Sequence, residues 1–185
     1  QCFKDNSFDF SIQGSYPSAA VLSWDFGSNA TPSTSSSASP EDVVFNSVGT
    51  FPVTLNASSG TCIMQPVIHN VEIKPEPEVD FVGDKLEGCS PLIVNLANLS
   101  PDPTNSFFWS ISDGSNSTSS DPTISLNTPG VYDVTLTATS AHGCSTTFVR
   151  DRYLTVYASP VSLFNANPGM TTIFSPTIHF TNNSV

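Results

Sequence analysis

Basic residues are scarce in this sequence, and charge of either sign is thin. Lys and Arg number 5 against 16 Asp and Glu, charged side chains make up 11% of the 185 residues, and the formal net charge is -11. A soluble domain ordinarily carries about 25% charged residues. Lys4, Lys74, Lys85, Arg150 and Arg152 never gather into a patch able to follow a phosphate backbone, so nucleic acid is not an expected partner. No apolar run approaches the roughly 20 residues of a membrane helix, so no membrane insertion is expected in this segment. No basic stretch followed by an apolar core marks a signal peptide, and the chain opens on Gln1 rather than Met. It reads as a piece cut from a longer polypeptide whose targeting signals lie elsewhere. The acidic excess is assigned to solubility, because it makes a low-charge surface self-repelling.

Chemistry is equally sparse. There is no Gly-x-Ser-x-Gly elbow, no His-Glu-x-x-His and no Gly-rich phosphate loop. His69, His142 and His179 fall in unlike contexts, and His69 and His179 sit inside strand patterns, where exposed strand residues are expected rather than bases. Nothing marks one Ser among many as a nucleophile, and paired carboxylates for glycoside hydrolysis would need a cleft to hold them. The chain is therefore expected not to be an enzyme, and no cofactor is expected. Calcium is the ion with some claim: Asp80, Asp84 and Glu87 cluster in sequence, with Glu76 and Glu78 just before them. Their spacing matches no cation-loop template, and solvated acids explain them.

What the sequence has instead is a repeat. Cys2 is matched by Cys89, Trp24 by Trp109, Gly49 by Gly130, Cys62 by Cys144, and Val71/Ile73 by Leu154/Val156, at offsets of 81 to 87 residues. A third copy begins near Pro160, where Phe164, Pro176, Ile178 and Phe180 follow Phe81, Pro91, Val94 and Leu96. Within each copy the apolar period is two. Phe51, Val53, Leu55 and Ala57 alternate with Pro52, Thr54, Asn56 and Ser58, as Tyr132, Val134, Leu136 and Ala138 alternate with polar residues. Phe8, Phe10 and Ile12 form another such stripe, and Leu92, Val94 and Leu96 its counterpart. Pro52 cannot donate to a ladder and so predicts an edge strand or a bulge.

About seven short strands per repeat, punctuated by Gly, Pro and Ser, predict an all-β fold of tandem immunoglobulin-like sandwiches. The expected divisions are residues 1–74, a sandwich lacking its first strand; 75–158, a complete one; and 159–185, the beginning of a third. Lys-Pro-Glu-Pro-Glu at 74–78 and Ala-Ser-Pro at 158–160 form short, Pro-containing seams.

The four Cys occur as one pair per repeat, and the simplest pairing is Cys2 with Cys62 and Cys89 with Cys144. A zinc site would need close-spaced ligands such as Cys-x-x-Cys, and none exists. Bridged cysteines imply an oxidising location such as the periplasm, the cell surface or the medium, and the cell surface or the outside of the cell is the expected place. Trp24 and Trp109, on central strands, are expected to fill the space between two sheets and cover the bridge. Gly27, Gly49, Gly114 and Gly130 are expected at turns with positive φ.

Trp24-Asp25-Phe26-Gly27 and Trp109-Ser110-Ile111-Ser112-Asp113-Gly114 are followed by Gly49-Thr50-Phe51-Pro52-Val53-Thr54-Leu55 and Gly130-Val131-Tyr132-Asp133-Val134-Thr135-Leu136. These motifs resemble the polycystic kidney disease (PKD) repeat, with its Trp-x-Phe-Gly-Asp-Gly and Gly-x-Tyr-x-Val-x-Leu pattern. The resemblance runs through the chain and is best in the second repeat. In the first, Ser28 stands where the pattern has Asp and Phe51 where it has Tyr, which implies a different central turn. A Cys before the Ser-Pro-Leu strand and another after the Val-x-Leu strand is similar to the version found in large surface proteins of gliding Bacteroidota, which implies type IX secretion.

Together these readings predict a non-catalytic structural and adhesive segment of a large secreted or cell-surface protein, a stalk or spacer with a role in adhesion or gliding motility. Its expected partners are other repeats of the same chain, and cell-surface polysaccharide or protein. The alternative is a carbohydrate- or protein-binding accessory module of a secreted hydrolase, for which Phe107, Phe108, Tyr153 and Tyr157 are the candidate contact residues.

Overall fold

The computed structural model of the protein describes residues 1–174 and 177–185; Ser175 and Pro176, the latter a marker of the third repeat, lie outside the described residues. Every regular element among the described residues is a strand. The first repeat contributes β1 (Val21–Asp25), β2 (Ala30–Thr31), β3 (Thr34–Ser35), β4 (Val44–Phe45), β5 (Gly49–Ser59), β6 (Cys62–Ile63) and β7 (Val67–Ile73). The second contributes β8 (Phe81–Gly83), β9 (Glu87–Cys89), β10 (Leu92–Asn98), β11 (Ser106–Ile111), β12 (Asn116–Ser117), β13 (Thr123–Leu126), β14 (Gly130–Thr139) and β15 (Ser145–Tyr157). β16 (Phe164–Asn167) and β17 (His179–Asn182) follow.

The period-two pattern reads directly as burial. On β14, Tyr132, Val134, Leu136 and Ala138 are buried between wetter neighbours, and on β10 Leu92, Val94 and Leu96 are buried while Ile93 is exposed. β10 lies between β13 and β8 in one sheet; the other sheet runs β12-β11-β14-β15-β9. Phe81 from the first sheet meets Trp109 from the second edge-on, with centroids 5.1 Å apart. This is an immunoglobulin-like sandwich, as the alternation predicts.

In the first repeat β5 is the central strand, paired with β1 from Thr54 to Ser58 and with β7 from Gly49 to Leu55. Pro52 therefore lies in an inner strand, not at an edge. It is tolerated because the β1 ladder stops at Thr54, so Pro52 has a partner, Asn70, on one side only. Phe8, Phe10 and Ile12 do pack on the core, but not as a regular strand: Phe8 makes a single bridge to Val43, and the Phe10 N–H reaches the Pro40 carbonyl.

The chain forms two compact units that cut across the repeat boundaries. The first comprises Gln1–Asp80, Leu99–Phe108 and Leu136–Phe148; the second comprises Phe81–Asn98, Trp109–Thr135 and Val149–Val185. The core of the first is aromatic, with Trp24, Phe26 and Phe45 buried among Val43, Val53 and Ile73. In the second, β16 and β17 pair as Phe164↔Asn182, Asn165↔Thr181 and Ala166↔Phe180. The same register joins β8 to β10, as Phe81↔Asn98, Val82↔Ala97 and Gly83↔Leu96. The sequence markers of the third copy thus coincide with a repeat of the second copy's opening strand pair.

Candidate functional site

The cysteines depart from the simplest pairing. The disulfide joins Cys2 to Cys144, with Cα atoms 5.4 Å apart, while Cys62 and Cys89 are exposed and free. Strand length explains why Cys2 does not reach Cys62. Cys2 makes a parallel bridge to Lys74, next to Ile73, which faces Gly49 at the start of β5; Cys62 faces Ser59 at its end. An 11-residue strand at roughly 3.3 Å per residue extends over about 30 Å, whereas a disulfide needs Cα atoms within about 7 Å. Cys89 likewise pairs with Tyr157, at the far end of the 13-residue β15 that begins beside Cys144. Period and pair count do not reveal that each pair occupies opposite ends of a long strand.

The tryptophans take the expected interior places, without a bridge beside them. Trp24 stacks on Phe26, centroids 6.0 Å apart, and Trp109 is fully buried against Phe81. Each indole N–H donates to a backbone carbonyl at 2.9 Å, Trp24 to Ser37 and Trp109 to Ser119. That recurring contact had no signature beyond Ser-rich turns.

Gly27, Gly49 and Gly114 have positive φ as expected; Gly130 does not. Tyr132, buried, donates its hydroxyl to the Thr128 carbonyl at 2.6 Å, a bond that the half-buried Phe51 has no hydroxyl to make. The central turns differ as the Ser28 substitution implies. Asp113 accepts from Ser115 in a tight turn closed by Ile111, whereas Asp25 accepts from Gly27 in a longer one closed by Phe26 and Ser33.

A cleft of about 500 Å³ opens in the first unit, with the Lys74–Glu78 segment on one wall and Asp102, Asn105 and His142 on another. Glu76 accepts the Lys4 backbone N–H at 3.0 Å, and Lys74 pairs with Glu72, whose carboxyl is held below its ordinary 4.5 chiefly by that hydrogen bond. Asp102 is held below 3.8 by the hydroxyl and N–H of Thr104. Asn105 is only 7% exposed, and neither side-chain polar atom has a hydrogen-bond partner. Among the described residues, Cys2, Glu76 and Cys144 bring potential metal ligands within 4.8 Å, but the two sulfurs are already bonded to each other.

The other acids are engaged locally. Asp84 accepts from the Asn95 backbone N–H at 2.9 Å and from its side-chain amide at 2.8 Å, which holds it below 3.8. Glu87 accepts from the Tyr157 hydroxyl at 2.9 Å, and that bond raises the tyrosine above 10.0.

The candidate aromatics do not act alike. Tyr153 is half-buried, meets Phe81 edge-on and accepts the Gly83 N–H at 2.8 Å, with the Arg150 guanidinium 5.2 Å from its ring centre. Phe107 is half-buried, and only Phe108 and Tyr157 are open to solvent. His69, His142 and His179 are all exposed, His69 and His179 on strands.

Residues 74–156 match the family model described as PKD domain. That span is the second repeat. PKD domains are in general non-catalytic extracellular modules, and the match agrees with the all-strand sandwich. No curated protein matches the chain, and no helix among the described residues is long and apolar enough to cross a membrane.

Proposed function

We propose that the chain is a stretch of a tandem-sandwich stalk, a structural and adhesive segment of a large secreted or cell-surface protein that spaces or presents other domains outside the cell. The observation that carries this reading is the recurrence of pairing from copy to copy: β8 with β10 reappears as β16 with β17, and Cys2 beside Lys74 reappears as Cys89 beside Tyr157. A sandwich rebuilt at a fixed period is a spacer in which length is added without new specificity. The disulfide supports an oxidising compartment. Residues 1–74, 75–158 and 159–185 are taken as successive domains. Adhesion or gliding motility, with export by type IX secretion, is the finer role proposed for the array.

The test is the unreduced mass and peptide sequence of the native polypeptide, with labelling of intact cells by a membrane-impermeant reagent. A very large, surface-labelled chain carrying many further copies is expected. A modest chain with a catalytic domain attached would overturn the stalk reading in favour of an enzyme accessory module.

A further inference from the structure

The cleft of the first unit carries polar groups that the fold does not use. Asn105 lines it, is 7% exposed, and leaves both side-chain polar atoms without a partner. A buried amide in that state costs stability, because its hydration is lost and nothing replaces it. Its place is set locally. Asp102 accepts from the hydroxyl and N–H of Thr104, and the Asn105 N–H donates to the Asp102 carbonyl at 3.4 Å. The turn thus sets an exposed carboxylate and a buried amide on the same wall, across from the Lys74–Glu78 segment.

Charge around the cleft is one-sided. Lys74 is paired with Glu72, and among the described residues no ion pair engages Glu76, Glu78 or Asp102. These three carboxylates do not converge within 4.8 Å, as a small hard cation would ask of them. No Phe, Tyr or Trp is among the described residues that line the cleft, so a sugar ring finds no aromatic face to lie on; Pro75, Pro77 and Pro101 supply apolar wall instead.

We propose that the cleft is a docking site for an extended, basic peptide segment of a partner protein. The Asn105 amide offers N–H donors and an oxygen acceptor, the complement of a peptide group. Glu76, Glu78 and Asp102 take the cationic head of an Arg or Lys side chain, the guanidinium fitting a carboxylate with two hydrogen bonds. The partner is a different protein, because 16 acidic against 5 basic residues make two copies of this chain repel while they attract a basic segment. Cys2 is bridged to Lys74 in strand register and Cys144 follows His142 closely, so the Cys2–Cys144 disulfide ties the two walls together before any ligand arrives.

The inference deepens the adhesive reading and rests on it for an extracellular partner. Fluorescence anisotropy of the whole chain, with its disulfide intact, tests it against labelled Gly-Gly-Arg-Gly-Gly and its Lys, citrulline and Glu analogues. The Arg and Lys peptides should bind, and the neutral citrulline and acidic Glu peptides should not. Glu76→Gln and Asp102→Asn keep their acceptor oxygens and lose only charge, and each should weaken binding about threefold to tenfold. Glu41→Gln, an exposed acid outside the cleft, should change nothing. Asn105→Leu should abolish binding while its urea midpoint stays level or rises, since the variant removes an unpaired buried amide. A lower midpoint would make Asn105 a structural residue and overturn the site, as would equal binding of the Arg and citrulline peptides or an equal loss in Glu41→Gln. Calcium chloride or dextran that binds in place of the peptides, and loses binding in Asn105→Leu, would overturn the peptide assignment. A surface-labelled chain that binds none of the peptides would remove the site and leave the stalk standing; a chain that binds the Arg peptide but is not labelled on intact cells would keep the site and remove the stalk.

Discussion

Trp109 is held by Ser119: the indole N–H donates to the Ser119 carbonyl at 2.9 Å while the ring is fully buried. The bond fixes the orientation of the largest core side chain. Trp109→Phe removes the donor and part of the ring, and should cost about 2 kcal/mol from lost packing and a lost hydrogen bond. Ser119→Ala should be nearly neutral, because the acceptor is backbone. Urea midpoints of the two variants check this, and equal losses would contradict it.

Gly49 and Gly130 occupy the same motif position with different backbones. Gly49 has φ 145°, where an L side chain is strained, while Gly130 is outside the positive-φ region and an added Cβ would meet the Tyr132 ring at 3.4 to 3.6 Å. Gly49→Ala should therefore cost about 1–3 kcal/mol, and Gly130→Ala less, since the tyrosine needs to give only slightly. An added Cβ at Gly49 would also meet a ring, that of Phe51 at 3.4 Å, so backbone strain is what separates the two sites; thermal unfolding of both variants tests the order, and reversal would show that strain at Gly49 does not decide it.

The fold was legible because alternation on β10 and β14 is a direct record of which side chains face the core, and the repeat markers recur in register. The stripe at Phe8, Phe10 and Ile12 carried the same alternation without a regular strand, because core packing alone produces the pattern and ladder bonds leave no trace in it. The cysteine pairing failed for a different reason. Matching Cys2 with Cys62 treats a repeat as a point, whereas β5 is long enough to put them beyond reach of each other. The seam carboxylate Glu76 was visible as an acid, but the cleft it shares with Asp102 in the first unit depends on loops far apart in sequence.

Asp84 makes the folded state acid-sensitive. Its pKa is lowered by hydrogen bonds from the Asn95 backbone and side chain, so the folded chain binds its proton less readily than the unfolded chain does. The resulting stabilisation is fully present above the ordinary 3.8 and is lost as pH falls through the lower folded value. Asp84→Asn should narrow this acid dependence: its stability difference from wild type, measured by urea midpoints at neutral and acid pH, should shrink on acidification. A difference that stays constant with pH would assign the effect to packing instead of charge.

Cys2 and Cys144 close a sequence separation of 142 residues, and in the chain-entropy view a loop of that size stabilises by up to about 5 kcal/mol. Cys2→Ser and Cys144→Ser should each lose this contribution, while Cys62→Ser, which removes an exposed thiol without a partner in this stretch, should leave the unfolding of residues 1–185 unchanged. Pairing within repeats makes the opposite forecast, because Cys2→Ser and Cys62→Ser would then break the same bond. Urea unfolding of the three variants, with and without reductant, separates the two: reductant should erase the difference between wild type and Cys144→Ser, and a matching loss in Cys62→Ser would show that strand length does not govern the bridge.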